Sequence, residues 1–399
     1  MRVVFLSASG RMGGAERALV DLVASLRAAE PEWELHLVVA GAGPLAAAAL
    51  ALGAVVHPLP FPRALGRTGD AGGTGVGVAA RLLAAGPAGA LWLARLRLLL
   101  RRLAPDVVHS NGFKVHVAGA LATPPGARLV WHVHDYVSAR RLMARALRRL
   151  APRAAAAVAV SRSVATDLRG VCGPALRVEV VHNAVDLERF TPRGPRAPLH
   201  ELAGMTAPQP GTIDVGLVAT MGLWKGHEVF LRALALLPPE LPVRGYVVGG
   251  RIYATTGSEV DPDLLRRTAA ELGLAGRVGF TGFVDDAPAA LRALDVVVHA
   301  STQPEPFGLV IAEAMACARP VVVSAAGGAG EIVADAAAAL AVPPGDAEAL
   351  AAAILRLAGD GGLRAALAAA GREKAEREFD RARLARQVAP LYRSLAGGG

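Results

Sequence analysis

The sequence predicts an α/β protein made of two doubly wound, Rossmann-like parallel-sheet domains facing a central cleft. Short apolar runs rich in Val, Ile and Leu alternate with helix-patterned segments along nearly the whole chain, as expected for parallel strands covered on both faces. The alternation breaks once, in a Pro- and Gly-dense stretch after Glu188, and then restarts. A length of 399 residues also exceeds one ordinary domain and fits two of roughly 150–200 residues.

The elements follow in order. "RVVFLSA" is a buried strand, and "GGAERALVDLVASLRAAE" after it is a helix, with Leu19, Leu22, Val23 and Leu26 at helical spacing. "ELHLVVA", "DVVHS", "ARLVWHVHD", "AAVAVS" and "RVEVVHN" continue the first set of strands. "RFTPRGPRAPLHELAGMTAPQPG" has the composition of a linker. "TIDVGLVAT", "VRGYVVGG", "RVGFTGF", "DVVVHAS" and "RPVVVSA" form the second set. The expected boundaries are a first domain over 1–187, a linker over 188–210 and a second domain over 211–376. A charged amphipathic helix over 377–395 is expected to fold back on the first domain.

Charge and composition narrow the class. Residues 1–187 carry 22 basic and 11 acidic side chains, and residues 188–399 carry 21 and 23, so the first domain is the one suited to an anionic partner. Nucleic acid is not expected, because no zinc spacing, RNA-binding aromatic pattern or recognition helix accompanies the charge. Cys172 and Cys317 lack metal-ligand spacing and read as reduced thiols. The chain starts directly in a strand and has no uncharged run of membrane-spanning length, so the expectation is a cytoplasmic protein. The Arg-rich segments 91–104 and 138–153 carry leucines on one side. They read as core-packing helices with a solvated basic face, or as helices lying on an anionic bilayer.

Open α/β sheets bind ligands just beyond the carboxyl ends of their strands, and the unusual residues lie there. Gly13 and Gly14 precede the first helix and offer bare amides to an anion. "GAGPLA" at 41–46 matches a dinucleotide pattern, but no acidic residue follows at ribose-binding distance. His132 and His134 end a strand and are read as facing opposite sides of the sheet, with His134 in the cleft and His109 as the second candidate. Lys225 of "GLWKGHE" is one of three lysines among 43 basic residues, and a compact ammonium suits phosphate oxygens. "STQPEPFGLVIAEAMACARPVVVS" places Glu305 before a helix start and Glu313 about one turn inside it. Amides around Phe307, Gly308, Leu309 and Val310 then form an anion site, and the two acids would accept hydroxyls on either side of the anion. "DPD" at 261–263 reads as a turn, not a metal site.

"EPFGLVIAEAMACARPVV" resembles the E-x7-E region of the family 4 retaining glycosyltransferases of GT-B fold. "GGAER", "HVHD", "VVHNAVDLERF", "WKGHEVFLRAL", "VVGG", "FTGFVDD" and "GGAGEIV" are similar to family segments in the same order. The resemblance implies transfer of a sugar from a nucleotide-diphosphate sugar to an acceptor hydroxyl, without cofactor or obligate metal. It implies that Glu313 holds the ribose and Glu305 the donor sugar. Lys225 and the amides of Phe307, Gly308 and Leu309 would hold the diphosphate, with Gly13 and Gly14 closing from the first domain. His134 matches the histidine near the reacting sugar, and Phe283 and Val284 match the loop beside the base. An arginine usual in the family is missing at Ala219 and Thr220, so that phosphate binding rests on Lys225 or on a substitute such as Arg251.

Asn111 and Lys114, after a strand of the basic domain, are candidate acceptor-binding residues, and the charge suggests an acceptor that is anionic or lipid-linked at a membrane surface. The rival readings are a sugar-nucleotide epimerase, a phosphorylase, a silent sugar-nucleotide binding protein and a glycosidase. A glycosidase has no need of the anion site.

Overall fold

The computed structural model describes residues 1–62, 75–251 and 259–397, with the backbone alone over 75–85. It divides into two units, Met1–Ala184 with Arg381–Gly399, and Val185–Asp380.

The first unit contains β1 (Arg2–Ser7), α1 (Gly14–Ala29), β2 (Glu34–Val39), α2 (Pro44–Ala51), β3 (Val55–Pro58) and α3 (Gly75–Leu103). It continues with β4 (Val107–Asn111), α4 (Phe113–Ala122), β5 (Arg128–Val133), α5 (Arg141–Leu150), β6 (Ala156–Ala159), α6 (Arg162–Cys172) and β7 (Val178–Val180). Its sheet has the order β3-β2-β1-β4-β5-β6-β7, and every pairing is parallel. The chain winds one way from β1 and the other way from β4, so β1 and β4 flank a switch point, with Ser7 opposite Asn111.

The second unit contains α7 (Leu199–Leu202), β8 (Ile213–Val218), α8 (His227–Ala235), β9 (Val243–Val248), α9 (Pro262–Glu271), β10 (Val278–Gly282) and α10 (Ala287–Ala293). Then come β11 (Val296–His299), α11 (Leu309–Ala316), β12 (Val321–Ser324), α12 (Gly328–Ile332), β13 (Leu340–Val342), α13 (Ala347–Gly359) and α14 (Gly361–Glu378). The order β10-β9-β8-β11-β12-β13 is again all parallel, with the switch between β8 and β11. The strand runs are uniformly apolar because both faces are covered: Val296, Val297, Val321, Val322 and Val323 are fully buried.

Residues 188–210, expected as a linker, are part of the second unit. Ala197 N–H donates to Ala289 O at 3.0 Å, and Arg292 donates to the carbonyls of Pro195 and Thr191. Leu199 of α7 is 3% exposed. Proline density marks the absence of a regular ladder, not the absence of packing, and here a buried arginine satisfies the irregular carbonyls.

The last helix, α15 (Arg383–Ala396), belongs to the first unit and packs on α1. Ala385 N–H donates to Ser25 Oγ at 2.9 Å, and the fully buried Tyr392 bonds His109 Nδ1 at 2.6 Å. The helix expected over 377–395 is therefore two pieces, because α14 ends at Glu378 and α15 begins at Arg383.

Two motif-like segments have local explanations. A Cβ on Gly43 would lie 2.3 Å from Gly10 O, so "GAGPLA" needs its glycine for one loop to cross another. Asp261 of "DPD" caps α9 through Asp263 N–H, with Pro262 in the first turn.

Candidate functional site

In the second unit the chemistry gathers at the β8–β11 switch point. The loop leaving β8 reaches Lys225 through a single 3-10 turn, Leu223–Lys225, and is tied to the loop leaving β11 by Thr302 N–H donating to Trp224 O at 2.8 Å. Gly226 has φ 73°, and a Cβ there would stand 1.8 Å from Ala300 O. Only glycine permits both the left-handed backbone and that approach.

The close approach aims Lys225 at Glu305. Nζ lies 3.0 Å from Oε1 and 2.9 Å from Oε2, with side chains 21% and 13% exposed. Ser301 Oγ donates to Oε2 at 2.8 Å, and His299 Nε2 stands 3.5 Å from it. Burial pushes the Glu305 carboxyl upward, but Lys225 and then His299 outweigh it and hold the group below the ordinary carboxylate range. The backbone of Glu305 is fixed as well, bridging to Gly327 and accepting Gly328 N–H at 2.7 Å.

Three residues on, Gly308 takes φ 99° and caps α11, where a Cβ would meet Ile311 at 2.7 Å. Leu309 is the first helical residue, and the amides of the opening turn lack intrahelical acceptors. Phe307 anchors that turn edge-on to Phe379 at 5.8 Å. Glu313 is 9% exposed amid Ile311, Ala312, Ala314 and Met315, all fully buried.

The flanking candidates are placed as follows. Thr220 O accepts Gly222 N–H at 2.8 Å in the Lys225 loop. Phe283 is exposed, with Val284 half-buried beside it. Arg251 pairs with Glu259 at 3.1 Å, next to the bridge between Glu259 and Gly222.

In the first unit the candidates also meet at a switch point, between β1 and β4. Gly13 caps α1, but its N–H donates to Glu16 Oε2 at 3.1 Å. That amide is occupied by the protein's own carboxylate and is not bare as the sequence reading has it; Gly14 opens the helix. His134 Nε2 bonds Asn111 Oδ1 at 2.6 Å, and Asn111 Nδ2 donates to Ala15 O at 3.1 Å. The Ala15 carbonyl thus orients the amide, and the amide oxygen assigns the proton to Nε2. Asn111 is 4% exposed with both polar atoms engaged, so its side chain supports His134 from inside instead of facing an acceptor. Lys114 lies half-buried in the first turn of α4.

His132 and His134 share one side of the sheet, with ring centroids 4.0 Å apart. Residues two apart on a strand point the same way, so the reading that set them on opposite faces is wrong. His109 is fully buried against Tyr392 and has a structural role. Burial lowers the pKa of His109 and of His134 to about 3, which keeps both rings neutral at neutral pH.

The residues that sequence reading missed are His299, Ser301 and His227. His227 opens α8, is 2% exposed with no hydrogen bond on either ring nitrogen, and burial with Lys225 lowers its pKa to about 4. His299 and Ser301 were visible as polar residues ending an apolar strand, "DVVVHAS". Among the described residues no cluster of three His, Cys, Asp or Glu could hold a metal ion.

Each part of the chain matches a glycosyltransferase family model. Residues 12–189 match glycosyltransferase family 4, and residues 206–374 match glycosyl transferases group 1. The chain belongs to the family 4 glycosyltransferases. Its two Rossmann-like units are those of the GT-B class that the resemblance implied. A D-inositol 3-phosphate glycosyltransferase of Salinispora tropica is 38% identical over 229 residues, covering 54% of this chain and 46% of that one. The chain thus matches about half the length of its curated relatives. HepE of Anabaena, solved with UDP and glucose, is 27% identical with a TM-score of 0.79, covering 99% of this chain and all of that one. A sucrose-phosphate synthase of Thermosynechococcus elongatus, 21% identical with a TM-score of 0.77 and near-complete coverage of both chains, shares the fold.

Proposed function

We propose that the protein transfers a sugar from a nucleotide-diphosphate sugar to an acceptor hydroxyl, with retention at the anomeric carbon. The observation that carries this reading is the Lys225–Glu305 pair at the β8–β11 switch, three residues before the open amides of α11. A partly buried ammonium beside amides that lack an intrahelical acceptor suits a diphosphate. The carboxylate next to it suits the hydroxyls of the sugar, and Glu313 those of the ribose. Family membership and HepE, solved with UDP and with UDP-glucose, support a nucleotide-sugar donor.

In this mechanism the departing diphosphate is stabilised by Lys225 and by the amides of Phe307, Gly308 and Leu309. These are fixed before the charge develops, which is where such groups act most strongly. Positioning of the acceptor hydroxyl contributes the rest. His134, which the family resemblance matches to the histidine near the reacting sugar, is neutral and held by Asn111. The reaction is proposed to need no metal, so excess chelator should leave the rate unchanged.

The acceptor is proposed to be anionic or lipid-linked. Arg141, Arg145, Arg148 and Arg149 of α5 are exposed together with Leu142, a pattern suited to peripheral contact with anionic lipid. No described helix is long and apolar enough to cross a membrane.

The test is a thermal-shift screen of UDP, GDP, ADP and TDP sugars, followed by donor-consumption assays with and without candidate acceptors. One nucleotide sugar should stabilise the protein and be consumed, faster with acceptor. Turnover of donor alone into an epimer, or strict dependence on phosphate, would replace this reading with an epimerase or a phosphorylase. Binding without turnover of any donor would make it a binding protein, as the missing arginine at Ala219 and Thr220 would allow.

A further inference from the structure

Lys225 has two partners to serve. Its ammonium is directed at both carboxylate oxygens of Glu305, yet in the proposed reaction it must also meet the diphosphate. Turning toward phosphate takes from Glu305 its strongest counter-charge, in a place where burial opposes ionisation. Without another partner the carboxylate would pick up a proton or swing away, and could no longer accept a sugar hydroxyl as an anion.

Two of the other partners of Glu305 sit on the rigid end of β11. Ser301 is 1% exposed and donates to Oε2 at 2.8 Å; His299 is 4% exposed, with Nε2 3.5 Å from the same oxygen. Neither nitrogen of His299 makes a hydrogen bond, so of the two only the serine makes a directed contact. Glu305 N–H donates to Ala326 O and its carbonyl accepts Gly328 N–H, so the main chain cannot follow Lys225 if it moves. Among the described residues the titratable groups facing Glu305 include Lys225 from the 3-10 turn and His299 from β11, with His227 of α8 adjoining Lys225.

We propose that Ser301 is a positioning residue that keeps the Glu305 carboxylate oriented and ionised while Lys225 turns to the phosphates of the ligand. This rests on the reading of the Lys225–Glu305 pair as part of a nucleotide-sugar site. The role appears only with ligand bound. In the free protein Lys225 is the largest counter-charge of Glu305, whereas in the complex the serine hydroxyl stays behind as a directed hydrogen-bond donor to Oε2.

The test follows the Glu305 resonance by NMR in protein carrying 13Cδ-glutamate, with Glu305→Gln identifying the signal. Titrations are compared for the wild type and Ser301→Ala, free and saturated with UDP, or with whichever of GDP, ADP or TDP binds by calorimetry if UDP does not. In Ser301→Ala the titration midpoint should rise by about one pH unit or more in the nucleotide complex. It should move much less in the free protein, and nucleotide affinity should stay within about threefold of wild type. Ser301→Cys, with a weaker donor, should fall between, and it replaces the alanine variant if that does not fold. Equal midpoints for variant and wild type in the complex would overturn the role of Ser301 while leaving the nucleotide site intact. Failure of all four nucleotides to bind the wild type would overturn the nucleotide-sugar reading, and this proposal with it.

Discussion

Replacing Lys225 by methionine removes the ammonium and keeps most of the stem, leaving Glu305 buried without its counter-ion. Breaking a fully buried pair in this way costs about 3–5 kcal/mol. Here the side chains retain 21% and 13% exposure, and water reaching them reduces the expected cost to about 2–3 kcal/mol. For a unit of this size each kcal/mol shifts the midpoint by about 2–4 °C, so the second unit should melt roughly 4–12 °C lower. Calorimetry at pH 7.5 should follow that unit's own transition, since two units need not unfold together.

Glu305→Gln removes the other charge, and the double variant removes both. The cycle should give a coupling of about 2 kcal/mol. The sign with pH is fixed by the depressed Glu305 pKa. In the wild type its contribution is complete above the unfolded value of about 4.3 and is lost as pH falls through the lower folded value. In Lys225→Met, acid also relieves the buried charge by protonating it. The gap between the two proteins should therefore close on acidification. Additivity of the two single variants within about 0.5 kcal/mol, or a gap indifferent to pH, would refute the reasoning.

Three further outcomes are expected. Asp214 has its pKa raised to about 6 by burial and then by Asp295, so it lowers stability as pH rises from about 4 to 6 and most fully above 6. After discounting for partial exposure, Asp214→Asn should stabilise the protein by about 1 kcal/mol at pH 7.5 and by almost nothing at pH 4, read as Tm. Gly226→Ala should displace the Lys225 loop, because its Cβ would meet Ala300 O at 1.8 Å. Donor consumption should fall by about a hundredfold while far-UV circular dichroism is retained, and a fully active variant would contradict the loop geometry. Tyr392→Phe deletes the buried bond to His109 and should cost about 1 kcal/mol in denaturant midpoint, with proteolysis then releasing α15 more readily.

Much of the fold was legible because parallel strands buried on both faces are written as continuous runs, such as "DVVVHAS" and "RPVVVSA". Glu305 and Glu313 stood out for the converse reason, as acids inside such a stretch. Their pairing was not legible. Lys225 and Glu305 are 80 positions apart, and only the placement of β11 beside β8 brings them together. Local pattern does not specify strand order. The inward turn of Asn111 depends on the carbonyl of Ala15, 96 positions away. The segment 188–210 looked like a tether because its prolines prevent a ladder, yet Arg292 supplies the hydrogen bonds that pack it down. His132 and His134 needed only the two-residue period of a strand to be placed together.

The central claim is that Lys225 and Glu305 act on a nucleotide sugar. The most direct measurement is the turnover of the donor found by thermal shift, at saturating donor, for wild type, Lys225→Met and Glu305→Gln, each shown by calorimetry to remain folded at the assay temperature. The account predicts that kcat falls by about a hundredfold or more in each variant, as loss of groups facing transition-state charge does. Turnover within about threefold of wild type in either variant would contradict it.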